Sequence, residues 1–75
     1  MSQTYNKVNI KKLLNSKWTA INPENKEKHF VVVAADYDEY GAISTCFIEP
    51  VATNRVISIN WEELKNRDTW LHGWL

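Results

Sequence analysis

The sequence predicts a mainly β protein, a small α+β domain in which about four curled antiparallel strands carry short helical turns at both ends. Three observations point there. Two β-prone runs, His29 to Tyr37 and Ala42 to Glu49, meet through Glu39-Tyr40-Gly41, where Gly41 supplies the positive φ of a short hairpin loop. Strand runs follow one another through brief turns, and helical patterns occur only near the ends. Four tryptophans in 75 residues supply bulk that a chain with a single cysteine cannot replace with an internal disulfide. Closure of such a sheet into a small SH3-like barrel, plugged by the two ends, is the expected completion.

In chain order, residues 1–8 show no apolar periodicity and read as a loose terminus, leaving 9–75 as one tryptophan-rich domain. Asn9 is placed to cap a helical turn over Ile10 to Leu14, with Ile10, Leu13 and Leu14 on one face. Lys17 to Asn22 is β-prone, and Pro23-Glu24-Asn25-Lys26 has turn chemistry. The unbroken apolar stretch after His29 predicts a central strand covered on both faces. Pro50 cannot donate to a ladder, so the third strand ends there or lies at an edge, and Arg55 to Asn60 alternates as a fourth. Asn60 with Glu63 resembles a capping box opening a short helix at Trp61. Asp68 is placed to cap one further turn over Thr69 to His72, ended by Gly73, with Trp70 and Trp74 four apart on one face of a lid over the sheet.

Composition excludes several classes. Hydrophobic residues at 44% and charged residues at 24% are ordinary for a folded domain and argue against wholesale disorder. No run reaches the ~18 apolar residues of a membrane span, and the first residues lack the apolar stretch of a secretory signal, so a cytoplasmic location without membrane association is expected. Nine basic and nine acidic residues cancel, yet Lys7, Lys11, Lys12 and Lys17 precede every acid. That layout fits either a basic segment folded onto an acidic body or a basic arm offered to a partner.

Chemistry-bearing residues are sparse. Cys46 lies mid-strand, where a free cysteine is usually a small buried hydrophobe. His29, His72 and Cys46 are too few and too scattered for a structural zinc site, so no metal and no cofactor is expected. Asp36, Asp38 and Glu39 read as solvated turn acids, and two glycines make no phosphate-cradling loop. Binding has more support: Lys17-Trp18 and Lys26, Lys28 and His29 bring cations beside rings on two strands expected to pair, with Trp70 and Trp74 as further candidates. The same rings serve equally as core, with lysine stems over them.

Leu13-Leu14, Ser16-Lys17-Trp18-Thr19-Ala20, Pro23, Asn25 to Phe30, Trp61-Glu62-Glu63-Leu64, Trp70-Leu71 and Gly73-Trp74 resemble the short tryptophan-rich bacterial proteins grouped as a domain of unknown function. The resemblance runs from about Asn9 to Leu75 and implies a stand-alone bacterial cytoplasmic protein, without an activity or catalytic residue. The functional expectation is therefore a non-catalytic module that binds nucleic acid or a protein through Lys17, Trp18, Lys26, Lys28, His29, Trp70 and Trp74. Its rivals are a self-associating accessory subunit, dimeric through a sheet edge or the Trp70/Trp74 tail, and an enzyme using Cys46 or His29.

Overall fold

The structure is a computed structural model and describes residues 5–75. Five antiparallel strands form one sheet: β1 (Lys17–Glu24), β2 (Glu27–Tyr37), β3 (Ile43–Pro50), β4 (Ile57–Ile59) and β5 (Trp70–His72), in the order β4-β3-β2-β1-β5. The two hairpins and the central place of β2 follow the sequence reading. The sheet is open, because β4 and β5 lie at opposite edges and do not pair, so the SH3-like closure is corrected. The helical pieces are 3-10 turns, Ile10–Lys12 and Trp61–Lys65, too short to make this an α+β layer.

The largest difference concerns the tail. Residues Thr69 to His72 were expected to coil into a helical turn under Asp68, but Trp70–His72 is strand β5, laid along β1 with Trp18 opposite His72 and Ala20 opposite Trp70. The preceding turn is held by Asn66, whose side chain accepts from the Asp68 amide at 2.9 Å, so Asn66 takes the role expected of Asp68. A free ladder on β1 was available, and two large residues with a leucine fit a pleated surface better than a single helical turn, which brings almost no hydrogen bonding of its own. The tail is a strand, and Trp70 and Trp74 do not stack on each other.

Smaller corrections have similar causes. The first hairpin turns on Asn25 and Lys26 alone, both at positive φ, and Pro23 belongs to β1. It falls between Thr19 and Glu24, where the β1–β2 register shifts and a residue without an amide proton costs no regular rung. Asn9 does cap the first turn, accepting from the Lys11 amide at 3.0 Å, but the turn ends early: Leu13 is buried while Leu14 faces solvent. Asn60 caps the second turn through the Glu62 amide. Of the segment expected to be loose, residues 1–4 lie outside the described residues. Asn6 is buried, its side-chain amide donating to the Leu64 carbonyl at 2.8 Å and the Trp70 carbonyl at 2.7 Å.

One face of the sheet carries the core. Trp18, Phe30, Val32, Cys46, Ile48 and Trp70 project onto it, and Leu13 and Leu64 from the two 3-10 turns close over them. Trp18 is 1% exposed, and its Nε1–H donates to the Ser16 hydroxyl at 2.8 Å, which itself donates to the Leu13 carbonyl at 2.6 Å. Burying a ring of this size removes ~150–250 Å² from water and contributes roughly 4–6 kcal/mol before entropy is counted. The opposite face is not covered as the apolar run of β2 suggested: Val31, Val33 and Phe47 are only half-buried and Ala34 is exposed.

Candidate functional site

Adjacent residues of a strand point to opposite faces, so burying Trp18 and Phe30 sends Lys17, Thr19, His29 and Val31 to the open one. The pairing then sets them side by side: Lys17 opposite Val31, and Thr19 opposite His29. Over this corner lies the chain after β5. Gly73, at φ 89°, turns it back across β1, its amide donating to the Lys17 carbonyl at 2.7 Å. Thr19 pins the turn from both sides, donating from its hydroxyl to the Gly73 carbonyl at 2.6 Å and accepting from the Leu75 amide at 3.0 Å.

Trp74 is thereby set on the open face. Its indole N–H donates to the Phe30 carbonyl at 2.9 Å, the His29 ring stacks against it with centroids 5.8 Å apart, and the Lys17 ammonium lies 5.0 Å from the ring centroid. His29 Nε2 is 2.9 Å from the main-chain oxygen of Leu75, a bond that requires the ring proton on Nε2. Although held on three sides, Trp74 remains 44% exposed. The arrangement offers a fixed aromatic surface flanked by an ammonium group and an imidazole ring. The Thr19 hydroxyl is occupied on both sides, by the Gly73 carbonyl and the Leu75 amide.

Of the expected site residues, the structure brings together Lys17, His29 and Trp74. Trp18 and Trp70 are core: Trp18 stacks on His72 at 4.5 Å, and Trp70 sits edge-on to Phe30 at 4.9 Å. Lys26 is in the hairpin turn, and Lys28 alternates with His29 and so leaves the open face. Sequence reading missed Thr19, whose partners lie more than fifty residues away and leave no local signal.

A second polar cluster was also missed. Glu27, 3% exposed, is held by Arg55 through a bidentate pair, Nε to Oε2 at 2.8 Å and Nη2 to Oε1 at 2.5 Å, and by the Thr53 hydroxyl. The guanidinium and the hydroxyl hydrogen-bond the ionised form and hold the Glu27 carboxyl down at about 2 from an ordinary 4.5. The Arg55 side chain is 55% exposed, so the clamp holds the turn end of the β1–β2 hairpin from the solvent side. All of its charge is used within the fold. Cys46 is fully buried, and desolvation pushes its thiol up, disfavouring the thiolate that nucleophilic chemistry needs. Among the described residues no three His, Cys, Asp or Glu side chains are grouped to hold a metal ion.

Residues 16–75 match the tryptophan-rich protein family DUF2389, a domain of unknown function. The chain belongs to that family. The match takes in all five strands and the whole Lys17, Thr19, His29 and Trp74 corner. No curated protein and no solved structure matches the chain.

Proposed function

We propose that this DUF2389 chain is a non-catalytic binding module of the bacterial cytoplasm that takes a protein partner on its open sheet face, with Trp74 as the anchor. The observation that supports it is the state of Trp74: half exposed, yet with its N–H bonded and its ring braced by His29 and Lys17. A ring already fixed in place loses little conformational freedom on binding, and aromatic anchors of this kind dominate protein interfaces. Around it the surface is half apolar and of mixed charge: Val31 and Phe47 are half-buried, and Glu49 lies directly opposite Val31 on β3. A groove that follows a phosphate backbone needs one sign of charge, and an acid within the patch opposes it, so protein is favoured over nucleic acid.

The test is affinity capture on immobilised chain, followed by binding of the captured species in purified form. Wild type and Lys28→Ala are expected to retain the same proteins, and Trp74→Ala to bind them at least tenfold more weakly. Equal retention by Trp74→Ala removes the site, and retention abolished by nuclease replaces protein with nucleic acid as the ligand.

A further inference from the structure

We infer that the partner of the open face is a second copy of this chain, docked face to face about a two-fold axis that runs along β2. The inference rests on the reading of that face as a protein-binding surface. Across the middle of the sheet the pairing sets Lys17 beside Val31 and Val31 beside Glu49, a row of cation, apolar residue and anion on neighbouring strands. Strands lie about 4.8 Å apart, so the two charges stand roughly 10 Å apart on either side of Val31. Rotation about an axis along β2 exchanges the two sides. Lys17 of each copy then meets the partner's Glu49, and Val31 meets Val31.

Relief agrees with charge. On the β1 side the face is raised by Trp74 and Leu75, lying against Lys17, Thr19 and His29. On the β3–β4 side Phe47 pairs with Ser58, and no tail contact covers them among the described residues. The same rotation keeps each residue at its level along the strands and seats the raised half of one copy on the low half of the other, so Trp74 lies beside the partner's Glu49 and not over the partner's Phe47. Such an arrangement is a two-sheet sandwich, the usual way for a single sheet with an apolar second face to complete a core. The outline of the molecule, 37 × 37 × 16 Å, offers more than the ~800 Å² per partner that a standard interface takes. Pairing through the sheet edges is disfavoured, since β4 and β5 have three residues each.

Sedimentation equilibrium on the full chain and two charge reversals test the geometry. Wild type is expected to be a concentration-dependent dimer. Lys17→Glu alone places two acids against two acids across the interface, Glu49→Lys alone places bases against bases, and each is expected to weaken dimerisation at least tenfold. Mixed in equal amounts, the two variants have opposite charges at both contacts and are expected to form the heterodimer with near wild-type affinity, which also shows that both are folded. A wild-type dimer whose variants do not complement each other overturns the proposed axis. A wild type that stays monomeric at high micromolar concentration overturns self-pairing, and if it still captures other proteins through Trp74, the binding reading stands without it.

Discussion

The two faces of the sheet are made by the same strands, yet one became a core and the other an anchor point, and Trp18 and Trp74 show why. Both indoles donate their N–H within the chain, Trp18 to Ser16 and Trp74 to Phe30. Trp18 projects from β1 onto the side where Leu13 and Leu64 close over it. Trp74 lies on the side that, among the described residues, the last residues of the chain cross, held by a lysine and a histidine instead of by aliphatic side chains. Tryptophan content alone therefore does not separate scaffold from site. The strand alternation that sends Trp18 in also sends Lys17 and Thr19 out to receive Trp74.

Truncating the two rings is the most direct way to break this contrast. Trp18→Ala leaves a cavity at the centre of the covered face and is expected to lower unfolding free energy by about 3–5 kcal/mol. Measured at a concentration where the chain is monomeric, Trp74→Ala removes a half-exposed ring that fills no cavity and is expected to cost about 1 kcal/mol. Urea unfolding followed by far-UV circular dichroism measures both. Equal losses would make the open face part of the core and remove its role as a docking surface.

The Glu27 clamp sharpens the contrast through pH. The Glu27 carboxyl sits at about 2 in the folded chain against 4.5 ordinarily, so its ionised form favours folding. Its contribution is fully present above the ordinary carboxylate range and is lost as pH falls from about 4.5 towards 2. Thermal midpoints of wild type are expected to fall across that interval. Glu27→Gln, less stable near neutral pH because Arg55 loses its bidentate partner, should fall less steeply. Parallel curves for the two proteins would assign the acid sensitivity to other carboxylates. The clamp stabilises a hairpin, whereas Lys17 and His29 on the open face contact Trp74.

How much of this was readable in the sequence depended on the range of the interaction. The β2–β3 hairpin was legible because Gly41 and the flanking alternation act within a few residues, and Asn9 and Asn60 declared their caps in the same way. The tail was not. Asp68-Thr69-Trp70-Leu71-His72-Gly73 carries helix-end chemistry, and what made it a strand was the free ladder on β1, fifty residues earlier. The Glu27, Thr53 and Arg55 cluster was hidden for the same reason, as was Thr19 under Gly73 and Leu75. For the site, local reading found cations beside rings, but alternation kept Lys17 and His29 and removed Trp18 and Lys28, a choice that needs the face of the sheet to be known.

Lys26 gives the smallest and cleanest separation of fold from site. With Asn25 it forms the two-residue turn of the first hairpin, at φ 54° and 62°. A side chain in the left-handed region is strained, and the turn type with both central residues at positive φ favours Asn-Gly. Lys26→Gly therefore relieves strain in the folded state while loosening the unfolded chain, and the first effect is expected to win by about 0.5 kcal/mol. Because Lys26 lies in the turn and not beside Trp74, the same substitution is expected to leave both self-association and protein capture at wild-type levels. A variant that folds more stably but binds tenfold more weakly would return Lys26 to the site and extend the binding surface from the open face to the hairpin tip.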